Sequence, residues 1–293
     1  MKNKLLTVLT PTYNRVGLIE RLYHSLINQT NKNFVWLIVD DGSKDGTPEI
    51  LNKFILENKL NIKVIYQENS GKYVAHNTGV KNCETDLIVC VDSDDVLYPF
   101  AVEHTISFWE KYKNDADVAG IVSPKQMGDN SYFSQPPEKS SLMNLYKKHY
   151  LVGETMLVFR TEILKKYLFP EVKGEKFMSE CVIYNQIDQK YVLAVQNEYL
   201  YKAEYQNDGI TLNISQIHWK NPKTTLIMFR AQAAYQNEFL IAAKSYASYL
   251  AWRKARNLKD FEVYHVNMFV RIVGRILKPH YDRLFDKIKK EGK

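Results

Sequence analysis

LIVCVDSDDVLYP, residues 87–99, opens with an apolar run that reads as a fully buried strand and ends abruptly in three carboxylates, Asp92, Asp94 and Asp95. Apolar runs that are continuous rather than alternating suit strands covered on both faces, the pattern of a parallel sheet. The same pattern recurs outward from this stretch. LLTVL (5–9), FVWLIV (34–39), IKVIY (62–66) and VAGIV (118–122) are further apolar runs. Between them Leu18, Ile19, Leu22 and Leu26, then PEILNKFIL (48–56), a segment from about Tyr73 and another from near Pro99 read as helices. The first 123 residues are therefore expected to form a doubly wound α/β sheet.

In such sheets the ligand crevice lies beyond the carboxyl ends of the strands, where loops leave and helix N-termini point their amides. The segments in that place are TPTYNR (10–15), DDGSKDGT (40–47), QENSGKYVAHN (67–77) and DSDD (92–95), all of them polar. Asp92 and Asp94, one residue apart just past a strand end, can converge on a hard cation, because two ionised carboxylates need a counter-charge to sit close together. Mg²⁺ or Mn²⁺, which keeps waters and takes further ligands from substrate phosphates, suits so few protein oxygens. An Asp-x-Asp triplet is common in chains of this size, so its position carries the signal. Calcium loops fit poorly. Counted from Asp92, Val96 and Leu97 fall where an oxygen ligand and the glycine belong, and counted from Asp41 the clamping position holds Asn52. No Gly-x-Gly-x-x-Gly and no Walker loop follows the first strand.

Composition bounds the rest. With 293 residues and 45% hydrophobic content the chain can bury a real core. No apolar stretch reaches the roughly 18 residues of a membrane span, and MKNKLLTVLTPTYNR turns polar too soon for a signal peptide, so a cytoplasmic protein is expected. Cys83, Cys90 and Cys181 are too scattered for a disulfide framework or zinc site. Segment 125–140, with its Pro pair, reads as a polar loop. TMLVF (155–159), YVLAV (191–195) and YLYKAEY (199–205) read as strands that extend the sheet, and the chain is helical from about 215.

Thr10-Pro11-Thr12-Tyr13-Asn14-Arg15, Val39-Asp40-Asp41-Gly42-Ser43 with Asp45, and Asp92-Ser93-Asp94-Asp95 resemble the three signatures of family 2 glycosyltransferases. That family has the GT-A fold, a Rossmann-like, mostly parallel central sheet flanked by helices. Gly153-Glu154-Thr155, Phe169-Pro170, Gly174-Glu175-Lys176-Phe177 and Ser179-Glu180 resemble the acceptor half of bacterial cell-surface polysaccharide transferases in the family. The expected organisation is a GT-A catalytic domain over 1–214, with a nucleotide-sugar-binding half (1–123) and an acceptor-binding half (124–214), then a helical C-terminal region (215–293).

The resemblance implies roles. Pro11, Thr12 and Tyr13 would line the nucleobase pocket, with Asn14 and Ser93 in the same nucleotide-sugar set, and Asp41 would accept from the uracil imide N–H. Asn69, Lys72 and Asn77 would lie along the ribose or diphosphate. Asp92 would meet the ribose or the metal, and Asp94 would hold the Mn²⁺ or Mg²⁺ that neutralises the departing nucleoside diphosphate. The family inverts the anomeric centre, so the attacking hydroxyl needs a carboxylate to take its proton. Glu180, in Phe177-Met178-Ser179-Glu180, is the candidate base, Ser179 a candidate helix cap, and Glu175 and Glu154 are reserves. A plainer reading makes Glu180 a partner of the helix dipole. His218 as a metal ligand stays open, and Tyr205, Asn207, Asp208, Gly209 and Thr211 resemble a family segment near the acceptor but also an ordinary turn.

Residues 251–293 carry 12 basic and 5 acidic side chains, so the whole net charge of +7 sits in this tail. Phe269, Ile272, Val273 and Ile276 fall at i, i+3, i+4 and i+7, with Arg271, Arg275 and Lys278 on another side, which predicts an amphipathic helix ended by Pro279. Two readings stand: contact with the anionic inner face of the cell membrane, where a lipid-linked acceptor would be, or a helix packed on the catalytic domain or on a second subunit of a homo-oligomer. Nucleic acid is not an expected partner. The expected function is an inverting, metal-dependent transfer from a UDP-sugar donor to a hydroxyl of a surface polysaccharide or lipid-linked glycan acceptor. A nucleotidyltransferase would want a glycine-rich loop after the first strand, which TPTYNR lacks. A non-catalytic nucleotide-binding scaffold would have no use for a metal pair and a candidate base.

Overall fold

The computed structural model describes residues 5–126, 132–148, 150–203, 210–235, 237–261 and 263–291. Tyr205, Asn207, Asp208 and Gly209 lie outside them, and for Thr211 only the backbone is described. The elements in chain order are β1 (Leu6–Thr12), α1 (Ile19–Ile27), β2 (Phe34–Asp40), α2 (Thr47–Glu57), β3 (Ile62–Tyr66), α3 (Lys72–Lys81), β4 (Leu87–Cys90), β5 (Val96–Leu97), α4 (Ala101–Trp109) and β6 (Val118–Gln126). There follow β7 (Tyr132–Phe133), β8 (Lys139–Ser140), α5 (Leu142–Lys147), β9 (Leu151–Val152), β10 (Thr155–Arg160), α6 (Thr161–Leu164), α7 (Cys181–Asp188), β11 (Val192–Val195) and β12 (Tyr201–Lys202). Four helices close the chain, α8 (Ile210–Lys220), α9 (Pro222–Ala233), α10 (Phe239–Ala255) and α11 (Met268–Glu291). Two compact units divide it: Met1–Leu168 with Lys190–Gly209, and Phe169–Gln189 with Ile210–Lys293.

The first unit is built on a mixed sheet in the order β3-β2-β1-β4-β10-β6-β11-β8. Its first four strands are parallel, and the register pairs Thr12 with Asp40 and Asp40 with Tyr66. Their C-terminal loops therefore leave from one edge, as the apolar runs predict. Leu6, Val8, Trp36, Ile38, Leu87 and Val89 are all buried. Tyr23 of α1 stacks on Phe54 of α2 with centroids 3.9 Å apart, beside Trp36; burying a side chain of this size stabilises by roughly 1.5–3 kcal/mol.

Two expectations change. VAGIV does not simply continue the parallel series, because β10 runs antiparallel between β4 and β6. Arg160 at its end donates to the carbonyls of Tyr112, Lys113, Asp115 and Val118 and lies over the Trp109 ring, holding β10 beside the start of β6. The polar stretch 125–140 includes two short strands, β7 against β9 and β8 against β11. YLYKAEY does contribute a strand to the sheet, off its main path: β12 pairs antiparallel with β5 and parallel with the far end of β6, setting Tyr201 opposite Lys125.

The second unit is helical and has its own core of Leu226, Tyr246, Tyr249, Trp252, Val266, Val270 and Phe285. Helices α10 and α11 run in the same direction, since Gly274 meets Ala243 and Tyr246 while Phe285 meets Trp252 eleven residues further on. A Cβ at Gly274 would fall 2.9 Å from the Ala243 carbonyl oxygen, so the close approach needs glycine. Pro279 does not end α11, which continues to Glu291. The interior proline removes one backbone hydrogen bond, but ending there would detach Phe285, 7% exposed, and Tyr281 and Ile288 from the core. The face of α11 turned to the core is not the Phe269-Ile272-Ile276 stripe. Val270, Gly274 and Phe285 are buried, whereas Phe269, Ile272 and Ile276 are exposed.

Glu175, a reserve for the base, caps α9. Its carboxylate accepts from the Lys223 and Thr224 amides at 3.0 and 2.8 Å, and from the Thr224 hydroxyl. Glu175→Ala should destabilise the second unit by about 1–2 kcal/mol, read as a lower urea midpoint; an unchanged midpoint would show that the cap contributes nothing.

Candidate active site

At the carboxyl edge of the parallel strands the residues nearest the sheet are positioned by backbone hydrogen bonds. Pro11 and Thr12 end β1 and are buried, whereas Tyr13 and Asn14 project into solvent. Asn14 adopts a left-handed conformation with φ of 52°, and its side chain accepts from the Lys44 amide while its own amide donates to Ser43 Oγ. The loops after β1 and β2 are thereby stitched together.

Asp41 follows β2 with its carboxylate buried. One oxygen accepts from Gln67 Nε2 at 2.7 Å and from the Ser70 amide at 2.8 Å; the other accepts from the Gly71 amide at 2.8 Å. Hydrogen bonds to an ionised group contribute about 1.5–3 kcal/mol each, so this carboxylate fixes the loop that enters α3. Gly42, at φ of +79°, allows the contact, because a Cβ there would lie 2.9 Å from the Asn69 amide nitrogen. The next residue along the loop, Lys72, reaches Asp92 with Nζ 2.7 and 2.9 Å from its two carboxylate oxygens. Asp41 and Asp92 are thus linked through three consecutive residues, Ser70, Gly71 and Lys72. Asn77 and His76 are buried on α3; the His76 pKa is pushed down to about 4 by burial and by Lys72, which keeps the ring neutral. Among the described residues, Thr12 Oγ1 and Asn69 Oδ1 are buried without a hydrogen-bond partner.

The turn after β4 gathers the acidic groups. Asp92, Asp94 and Asp95 offer oxygens that all lie within 4.8 Å of one another. Burial works against the charge of Asp92, but Lys72, Lys125 and Arg15 outweigh it and hold the carboxyl below its ordinary range. Asp94 shifts the other way, raised by burial and then by the charge of Asp92. Burial also pushes Asp95 up to about 6, although it accepts from Tyr201. Hard oxygen donors at this spacing, one of them short of counter-charge, fit a divalent cation. Ser93 between them is buried.

Tyr201 and Lys125 contact the acidic turn and are candidate site residues that sequence reasoning missed. The Tyr201 hydroxyl accepts from the Asp92 amide at 3.0 Å and donates to Asp95 at 2.7 Å, pinning both ends of the turn. Lys125 Nζ lies 4.3 Å from the Tyr201 ring centre, 4.0 Å from Asp95 and 3.5 Å from Glu154. The available signal was a buried-strand tyrosine, whose polar tip requires a partner.

Glu180 belongs to the second unit, where it is exposed and occupies the N-cap position of α7. Ser179 is not the cap; its hydroxyl donates to Cys181 Sγ at 3.2 Å. His218 packs edge-on against Phe177 and bonds Thr225 Oγ1 at 3.0 Å.

A family profile described as Glycosyl transferase family 2 matches residues 7–168. The Minor teichoic acid biosynthesis protein GgaA of Bacillus subtilis (strain 168) is 24% identical over 91% of this chain, which spans 60% of that relative's length. Among solved structures, S. aureus TarS 1-349 in complex with UDP-GlcNAc superposes with a TM-score of 0.60 at 18% identity, over 99% of this chain and 92% of that one. GalNAc-T7 with UDP, GalNAc and Mn²⁺ gives 0.59 at 14% identity, over 95% of this chain and 58% of that one. At these identities the superpositions establish the GT-A-like fold.

Tyr201→Phe removes the acceptor for the Asp92 amide and the donor to Asp95 together. The expected loss is about 1–3 kcal/mol in urea unfolding, and unfolding like that of the unchanged protein would deny the hydroxyl its positioning role.

Proposed function

The chain belongs to glycosyltransferase family 2, and from that membership we propose that it transfers a hexose or N-acetylhexosamine from a UDP-sugar to a hydroxyl of a cell-surface polymer or its lipid-linked precursor, with inversion and with a divalent cation. The observation that carries this reading is the linkage of Asp41 to Asp92 through Ser70, Gly71 and Lys72, which joins the candidate base-recognition residue to the candidate metal turn. The relatives support the proposed substrate class: teichoic acid biosynthesis is named for GgaA, and UDP-GlcNAc accompanies TarS.

Two carboxylate oxygens offer about four acceptor positions, and Asp41 uses three, so capacity remains for an imide N–H. Thr12 Oγ1 and Asn69 Oδ1 are suited to meet polar groups of a nucleoside, since a buried hydroxyl or amide without a partner is costly. Pro11, Tyr13, Asn14, Asn77 and Ser93 complete the proposed donor set. Asp94 and Asp92 would hold Mn²⁺ or Mg²⁺, which when bound supplies positive charge for the diphosphate. Lys72 brings a second cation to the same side of the turn. Glu180 is the proposed base: it takes the acceptor hydroxyl proton as the oxygen bonds to the anomeric carbon and the bond to the diphosphate breaks. Glu180 is exposed at the N-terminus of α7. The reaction would take place on the cytoplasmic side, where nucleotide sugars are made.

Calorimetry with UDP-, GDP-, CDP- and dTDP-sugars in Mn²⁺ or Mg²⁺ tests the donor; heat with the UDP forms alone is expected. Asp94→Ala should abolish the metal-dependent part of that binding. Glu180→Gln should bind donor normally and lose about 10²–10⁴-fold in transfer rate; full transfer by this variant would remove Glu180 from the mechanism.

A further inference from the structure

We propose that the second unit docks on an anionic membrane surface through the apolar stripe Phe269, Ile272 and Ile276 of α11, continued by the cationic half of the same exposed face. The stripe is not the buried face of the helix. Its three side chains are 64%, 45% and 71% exposed. At 100° per residue they lie on the side opposite Gly274, which sits against Ala243 and Tyr246 of α10. Single exposed apolar side chains are ordinary on a protein surface, but large ones grouped at one place mark a contact.

Charge selects the occupant. At 100° per residue Arg283 and Lys287 fall on the same side of α11 as Phe269, Ile272 and Ile276, and both are exposed, as is Arg275 beside them. The exposed side of α11 is therefore apolar in its first half and cationic in its second, within a tail of 12 basic and 5 acidic residues that carries the chain's entire excess charge. An anionic leaflet satisfies both halves, taking the apolar groups into the headgroup boundary and attracting the cations. A second copy satisfies only the first, because a two-fold contact places the same cationic tail opposite itself. No helix among the described residues is long and apolar enough to cross a membrane, so the contact is interfacial.

The test is flotation of the full chain with phosphatidylcholine vesicles, alone or with about one-third phosphatidylglycerol. It needs no nucleotide and no turnover, so its failure is separable from failure of the transferase reading. The protein should float with the anionic vesicles in dilute buffer, bind neutral ones at least about tenfold more weakly, and release as salt shortens the Debye length. Ile272→Ser with Ile276→Ser, and separately Arg275→Glu with Arg283→Glu, should each abolish flotation while leaving thermal melting unchanged, since all four side chains are exposed. Light scattering accompanies both pairs. Failure to float, equal binding to neutral vesicles, flotation unaffected by either pair, or an oligomer that the isoleucine pair dissolves without any vesicle binding would each overturn the proposal.

Discussion

A single buried carboxylate organises the proposed donor site. Asp41 holds the amides of Ser70 and Gly71 and the amide group of Gln67, and through them sets where α3 begins. Everything that α3 brings to the edge of the sheet follows from that anchorage: Lys72 beside Asp92, and Asn77 and His76 in the interior. The strand register makes the anchorage possible, because β1 and β2 end level with each other and the loops above them can be tied crosswise through Asn14, Ser43 and Lys44.

A second constraint comes from much later in the chain. Three carboxylates within one short turn repel one another, and the turn is held from both sides by Tyr201, whose hydroxyl bridges the Asp92 amide and the Asp95 carboxylate. That residue is delivered by β12, a strand whose pairing with β5 and β6 puts it under the turn instead of at the edge of the sheet. Lys125 enters through the same pairing. The acidic cluster is thus a composite of two remote parts of the first unit, and burial of Asp95 follows from the composite.

Much of this was legible in the sequence, for identifiable physical reasons. Strands covered on both faces must be apolar throughout, so β1, β2 and β4 could be read directly and the polar segments after them placed at one edge. Roles that depend on pairing at long range could not be read. TMLVF announces a strand, but nothing local shows that it inserts between β4 and β6. Tyr201 lies 106 residues from Asp95 and advertises no partner. Periodicity picks out the Phe269-Ile272-Ile276 stripe of α11, which is exposed, and not the packed face, which includes Gly274, whose value is its lack of bulk. Pro279 was read as an end because its local cost is visible in sequence and the contacts of Phe285 beyond it are not.

The pairing of Lys72 with Asp92 lies partly open to solvent, with side chains 41% and 34% exposed. A contact of that kind is weak and easily traded, and the ammonium is carried on a flexible four-carbon stem while the backbone beneath it is clamped by Asp41. The acidic turn therefore has a counter-ion of its own, tethered close by. The position of that charge is thus set by side-chain torsions, whereas the position of the backbone that carries it is set by the Asp41 hydrogen bonds.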